Sequence, residues 1–339
     1  MPELATRPSS IAEAGGERPR GALVGGVATA VPPTVVANAP IAARLGVTEN
    51  WIVGRTGVHE RRVAGPGETV VDYASRAAAD SLTAAGVEPL LVDLVLVATM
   101  SHDQLTPIAA TQVADRIGAT AAGALDLNAA CSGFVSALSL AAGQIESGRA
   151  RHAVVVGADL ISQILDHGDR STAALFGDGA GAVVMSAGFG PSAVGPAVLG
   201  SDGSRSGLIT AGREEGIIRM NGHDTFRQAV DRLSEATVDA AAAAATPLAE
   251  IDLFAFHQAN GRILTAVADR LALSRDRVID CIGRYGNTSA ATIPLALGDA
   301  RDAGRLVPGA KVLLAAFGGG LTWAATVVEW GLGEAGADA

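Results

Sequence analysis

Asp126-Leu-Asn-Ala-Ala-Cys131-Ser-Gly-Phe134 begins as an apolar strand, loses bulk in small residues, and passes into a helical pattern that runs toward Ile145. A cysteine is thereby placed at a strand-to-helix turn. There a thiol faces unpaired backbone N–H groups and the positive end of the helix dipole, which are expected to stabilise the thiolate and lower its pKa. Ala130, Ser132 and Gly133 leave room for a substrate carbonyl, and the Cys131 N–H can itself serve an oxyanion. Burial is the commoner fate of a free cysteine, so a structural thiol stands beside the nucleophile as a reading of this stretch.

Working outward, β-branched runs at 23–27, 94–99, 153–157, 182–185, 251–256, 311–317 and 326–330 predict strands, and Ala-rich patterns at 70–85, 132–147, 225–245, 262–271 and 293–303 predict helices. Their alternation points to an α/β chain whose mostly parallel sheet is covered on both faces. One echo bears on topology. Val92-Asp93-Leu94-Val95 and Ile251-Asp252-Leu253-Phe254 both set an Asp before a buried strand, half a chain apart. Two duplicated halves explain it, and so does the general likeness of parallel strands. Residues 1–20, polar and without an apolar core, read as a flexible arm, and residues 331–339 as a loose tail.

The composition narrows the function classes. Of 339 residues 49% are apolar and 18% charged, which suits a well-packed chain. A formal net charge of −10 disfavours nucleic acid as a partner. Two cysteines, Cys131 and Cys281, are too few for a disulfide framework or a zinc site, so no metal is expected and a reducing, cytoplasmic setting is. No apolar run reaches the length of a membrane span, and no membrane association is expected.

Three further pieces carry possible chemistry. Phe254-Ala-Phe-His257-Gln-Ala-Asn260 ends a buried strand in polar residues, where α/β sheets line their crevices, although a lone His there is more often a bonded core residue. Asn287, in Tyr285-Gly-Asn287-Thr-Ser, reads as readily as a helix cap. Phe317-Gly318-Gly319-Gly320 breaks a strand into glycines whose N–H groups can point at developing charge. Phe176-Gly-Asp-Gly-Ala-Gly181 precedes a strand instead of following one, which argues against a dinucleotide site. Cys281, among Val278, Ile279 and Ile282, reads as structural.

Taken together, Asn128-Ala-Ala-Cys131-Ser-Gly-Phe134, His257-Gln-Ala-Asn260, Tyr285-Gly-Asn287-Thr-Ser-Ala-Ala-Thr-Ile-Pro294, Phe317-Gly-Gly-Gly320 and Phe176–Gly181 resemble the β-ketoacyl-acyl carrier protein synthase III family of the thiolase superfamily, as does Glu49-Asn-Trp51 through Arg62. The likeness spans about residues 21–330. It implies the five-layered αβαβα thiolase-like fold, with a half at 21–190 carrying Cys131, a half at 191–330 carrying His257 and Asn287, and a homodimer. It also implies decarboxylative Claisen condensation. An acyl-CoA starter, a substrate and not a resident cofactor, loads Cys131, and malonyl-acyl carrier protein supplies the attacking carbon. His257 and Asn287 match the pair that holds the malonyl thioester oxygen, and Gly319 with the Cys131 amide matches the oxyanion hole. Trp51 matches the residue that stacks on the adenine of CoA, with Arg170 on the adenine's other face. Arg55 and Arg262 match phosphate and pantetheine neighbours, and Gly222, Phe226 and Asn260 match the tunnel wall. Arg227, Arg262 and Arg270 form a candidate patch for the acidic carrier protein.

Two departures from the family pattern suggest a longer or branched starter. Gly261 stands where a bulkier residue is usual, and Thr106 where members with small starters often have Phe reaching across the dimer, so both are expected to leave volume in the acyl pocket. Pathway, fatty acid or polyketide, is left open. Competing readings are an acyltransferase that moves the acyl group to an alcohol or amine without decarboxylation, a papain-like cysteine hydrolase using Cys131 and His257, and a non-catalytic partner subunit.

Overall fold

The computed structural model describes residues 20–331; the expected arm and tail lie outside the described residues apart from their inner ends. Arg20 opens a strand, and the Gly331 N–H donates to the Val24 carbonyl at 2.9 Å. Strands are β1 (Arg20–Ala30), β2 (Val35–Ala37), β3 (Glu60–Arg62), β4 (Leu94–Ala98), β5 (Gly123–Leu127), β6 (His152–Leu160), β7 (Asp178–Phe189), β8 (Val198–Ser201), β9 (Ile209–Ala211), β10 (Ile218–Met220), β11 (Leu253–Phe256), β12 (Lys311–Gly318) and β13 (Thr322–Glu329). Helices are α1 (Asn38–Leu45), α2 (Glu49–Thr56), α3 (Val70–Ala85), α4 (Ala109–Arg116), α5 (Gly133–Glu146), α6 (Gly222–Ala243), α7 (Gly261–Arg270), α8 (Ile282–Tyr285) and α9 (Thr292–Asp302).

Two sheets carry the architecture, one in the order β1-β7-β6-β4-β5 and one in the order β11-β12-β13-β8. Helices α5 and α9 touch both sheets and lie between them, while α3 and α4 cover the outer face of the first and α6, with α7 against it, the outer face of the second. This is the five-layered thiolase-like fold. Strands buried on both faces read as continuous apolar runs, as residues 153–158 of β6 do. Helix α3 shows how the local code works. Thr69 and Asp72 close a capping box at its start, and Ala74, Ala77, Ala78 and Leu82 turn one buried stripe to the sheet.

The echoed aspartates do the same work in each sheet. Asp93 Oδ2 accepts the Arg151 N–H at 2.6 Å, tying the entry of β4 to that of β6. Asp252 Oδ2 accepts the Lys311 N–H at 2.8 Å, tying β11 to β12. In both sheets the tied strands run parallel and the next, β7 or β13, runs antiparallel. Even the β5 position has a counterpart, because Val278 bridges Phe254 in parallel as β5 pairs with β4.

The Gly-rich run at 176–181 is where the two halves lock. Phe176 bridges Asn287, the Gly177 N–H donates to the Asn287 carbonyl at 3.0 Å, and the Asn287 N–H donates to the Leu175 carbonyl at 3.0 Å. A Cβ at Gly177 would collide with the Tyr285 carbonyl, so glycine here is a packing requirement.

Candidate active site

A cavity of about 560 Å³ runs between the halves and is lined by Cys131, His257, Asn287, Ser289 and Gly319 at its inner part. The exposed Arg55, Arg170, Arg227 and Arg262, with Trp51 and Gly222, mark its mouth. Three groups 156 positions apart in sequence, from Cys131 to Asn287, thus share one wall because the halves face each other across the α5–α9 layer.

Cys131 sits in a one-turn 3-10 segment, Ala130–Ser132, immediately before α5. An Asx turn from Asn128 Oδ1 to the Ala130 N–H (3.2 Å) shapes it. The Ser132 hydroxyl donates to the Ala129 carbonyl at 2.8 Å, and the Thr322 hydroxyl of β13 reaches the same carbonyl at 2.9 Å, so the second half pins the turn. A Cβ at Gly318 would lie 2.7 Å from the Cys131 nitrogen, which shows why the first glycine of the triplet is needed. The sequence reading singled out Gly319 and not Gly318.

The electrostatics of the thiol differ from expectation. Cys131 keeps some surface open to the cavity, yet protein surrounds its sulfur, and burial pushes the thiol up to about 12. The Asp159 carboxylate raises it further, while the Ser289 hydroxyl and the Cys131 N–H pull the other way. Desolvation outweighs the helix end because the sulfur lies outside the first turn of α5 and has little water to keep. The expectation of a lowered pKa is therefore corrected.

His257, at the end of β11, is fully buried, and burial lowers its pKa to about 3, so the imidazole is neutral. Its Nδ1 faces the Thr292 hydroxyl at 2.6 Å. Asn287 is held at both ends of its amide. Its Oδ1 accepts the Ser289 N–H at 2.9 Å, and its Nδ2 donates to the Ala259 carbonyl at 3.3 Å, leaving one N–H for the cavity. Neither Thr292 nor Ser289 was singled out by sequence, since a hydroxyl beside a motif carries no signal until the fold aims it. Asp159, buried on β6, is a third such residue. It accepts from Met100 N–H, the Ser101 hydroxyl and the Ala290 N–H, joining the two halves beside Cys131. Cys281 is structural as read: it is buried, and its N–H donates to Gln258 Oε1 at 3.0 Å.

At the mouth, the Thr48 hydroxyl caps α2 by accepting the Trp51 backbone N–H. The guanidinium over the Trp51 ring is that of Arg55, 4.8 Å from the centroid. Arg170, at the same mouth, donates from Nε to the Leu45 carbonyl at 2.8 Å. Asn260 caps α7 through the Arg262 N–H and donates to the Arg55 carbonyl at 3.0 Å, so its amide joins α2 to α7. Phe226 lies under the Arg262 guanidinium at 5.7 Å. Of the candidate carrier patch, Arg227 and Arg262 line the mouth, but Arg270 is ion-paired with Asp231.

Of the two departures thought to enlarge the acyl pocket, Gly261 lies elsewhere. A Cβ at Gly261 would meet Gly57 Cα at 3.2 Å, because α7 starts against the end of α2, outside the catalytic cavity. Thr106 is exposed and does not line the cavity of its own chain. The inner wall is set by Met100, Ile161, Leu175, Phe176, Ile209 and Phe317 instead. Among the described residues no cluster of His, Cys, Asp or Glu could hold a metal ion, and no helix is long and apolar enough to cross a membrane.

A cysteine open to the cavity, a neutral histidine and an oriented asparagine at the seam of a duplicated αβαβα fold define a condensing enzyme of the thiolase type. Residues 125–203 match the family described as 3-oxoacyl-[acyl-carrier-protein] synthase III, and residues 241–330 its C-terminal part. A β-ketoacyl-[acyl-carrier-protein] synthase III of Streptomyces coelicolor is 46% identical over 91% of this chain and 94% of its own. The crystal structure of the synthase III from Pseudomonas aeruginosa superimposes with a TM-score of 0.87 at 41% identity, over 92% of this chain and 98% of that one. The priming β-ketosynthase of the R1128 polyketide pathway gives a TM-score of 0.88 at 36% identity, over 93% and 97%. The chain belongs to the 3-oxoacyl-[acyl-carrier-protein] synthase III family.

Proposed function

We infer that this enzyme starts acyl chains by loading an acyl group from a CoA thioester onto Cys131 and condensing it with malonyl-acyl carrier protein as carbon dioxide leaves. The observation that carries the reading is the shared cavity of Cys131, His257 and Asn287, reached past a mouth of four arginines and Trp51. Those cations suit the phosphates of CoA, and the narrow apolar interior suits a pantetheine arm and an acyl group.

Each group has work that fits its state. In loading, Sγ bonds to the acyl carbon, and the CoA sulfur leaves with the bonding pair and ends with the thiol's proton. The backbone N–H groups of Cys131 and Gly319, two residues of the cavity wall, receive the oxygen of the tetrahedral intermediate in this reading. In decarboxylation the pair of the breaking C–C bond passes into the thioester, whose oxygen gains charge. A neutral imidazole and an amide N–H are suitable donors to that oxygen, and neither must be a strong base.

The alternative, acyl transfer to an alcohol or amine without decarboxylation, is not favoured, because the Asn287 amide is positioned by two hydrogen bonds as a donor that simple transfer does not need. Intact-mass detection of an acyl group on Cys131, followed by malonyl-dependent release of carbon dioxide, tests the reading; transfer without carbon dioxide would reject it. A homodimer is part of the same proposal. β5 is an open edge of the first sheet, and Leu125 on it is 57% exposed, a surface a second copy would cover. Sedimentation as a monomer would reject that part.

A further inference from the structure

Two turns meet at the floor of the cavity, one from each half: Ala130–Ser132 with the nucleophile, and Ser289–Ala291 just past Asn287. Each carries a non-glycine residue with left-handed backbone, Ala130 at φ +47° and Ser289 at φ +52°. That conformation costs free energy and persists where surrounding structure enforces it.

Ser289 reaches every member of the site. Its N–H donates to Asn287 Oδ1 at 2.9 Å, and its carbonyl accepts the Thr292 hydroxyl at 3.0 Å, the same hydroxyl that meets His257. Its own hydroxyl is different. Although buried on the cavity wall, that oxygen has no partner of ordinary hydrogen-bond geometry among the described residues; the Cys131 sulfur and the Asp159 carboxylate flank it. A buried hydroxyl that makes no hydrogen bond is costly and rare, and the cost is recovered if negative charge develops on a neighbouring atom during the reaction.

We propose that Ser289 is a positioning residue for the nucleophile, its hydroxyl donating to the Cys131 sulfur whenever that sulfur carries negative charge. The proposal rests on the condensing reading above, in which the sulfur is anionic twice. It is so as it attacks the starter thioester. It is so again in condensation, when the malonyl-derived carbon bonds to the acyl carbon, the C–S bond breaks, its pair stays on Sγ, and the thiolate then takes a proton from solvent. Around the sulfur, Asp159 from β6 opposes the charge and neutral His257 adds none, so a neutral donor has a clear effect.

The test separates hydroxyl from backbone. Ser289→Ala keeps the left-handed strain and loses the hydroxyl, whereas Ser289→Gly loses both. Iodoacetamide alkylation is followed from pH 6 to 10 on the Cys131 peptide by mass spectrometry, with buried Cys281 staying unmodified as the sign of a folded chain. Both variants are expected to displace the rising limb to higher pH, with alkylation at fixed pH about threefold slower, the loss of thiolate being partly offset by its greater nucleophilicity. Profiles that superimpose on the wild type, or a displacement in the Ala variant alone, would overturn the proposal. Alkylation needs neither CoA nor malonyl substrate, so its outcome is independent of whether condensation itself is observed.

Discussion

Nδ1 of His257 lies 2.6 Å from the hydroxyl oxygen of Thr292, at the first residue of α9 in the second half. That hydroxyl has two acceptors in reach, Nδ1 and the Ser289 carbonyl at 3.0 Å, which also takes the Thr292 backbone N–H; the donor role of His257 requires the hydroxyl proton to turn to Nδ1. Nε2 then carries the hydrogen of the neutral ring and can donate to a substrate oxygen. Nitrogen-15 NMR of histidine-labelled protein, with the signal assigned by its loss in His257→Asn, is expected to show the Nε2–H tautomer. Thr292→Val should slow malonyl decarboxylation about tenfold, an effect of the size of one misoriented donor, and Thr292→Ser should restore it. An Nδ1–H pattern in the wild type would remove His257 from the donor role.

The buried imidazole has a consequence for stability. His257 is held at about 3 in the fold, whereas a free imidazole titrates near 6.5. Above that value both states are neutral and folding is unaffected. Between it and about 3, the unfolded chain binds a proton that the folded one does not, so stability falls as pH drops through this window. Thermal unfolding measured between pH 7 and pH 5 should fall more steeply in the wild type than in His257→Gln. Equal slopes would contradict the neutral buried state.

With burial pushing the Cys131 thiol up to about 12, the thiolate is scarce at neutral pH. The rate of acyl loading in the absence of malonyl substrate should therefore rise across pH 6 to 9 without a plateau. A plateau below pH 8 would show that substrate or solvent rescues the thiolate far more than the resting site does.

Variants should divide the two half-reactions. Cys131→Ala is expected to abolish loading, as judged by intact mass. Asn287→Ala should load within a few-fold of the wild type and lose malonyl decarboxylation by a factor of about 100, the typical cost of one oxyanion donor. Equal loss of loading in both folded variants would reject the assignment of roles.

Gly261→Ala tests where starter choice resides. The added Cβ meets Gly57 at the α2–α7 contact, so a loss of stability of about 1 kcal/mol is expected from overpacking, read as a lowered Tm. The relative rates with acetyl-, propionyl- and hexanoyl-CoA should be unchanged. A changed ratio would place Gly261 back at the acyl pocket.

Much of this molecule was legible in its residues. The helix at 70–85 coincides with α3, because its cap and its stripe of buried alanines are both local signals. The strand and turn before Cys131, the polar ends after Phe256 and the glycines after Phe317 were equally plain. Short elements escaped. Helix α2 has a weak apolar face, and β9 and β10 are three-residue strands that pair only with each other, so neither has a period long enough to see.

What the sequence alone determined is the inventory: which strands and helices form, which residue types can act as nucleophile and as donors, and the family whose spacing they share. The tertiary structure decided their states and neighbours. Burial raised the thiol that the turn by itself would have lowered, Thr292 and Ser289 were aimed at the site by the second half, and Gly261 was turned to a helix contact instead of the acyl wall. The reason is physical. Propensity, capping and periodicity act over a few residues, whereas desolvation and hydrogen bonding depend on whatever the fold brings from far along the chain.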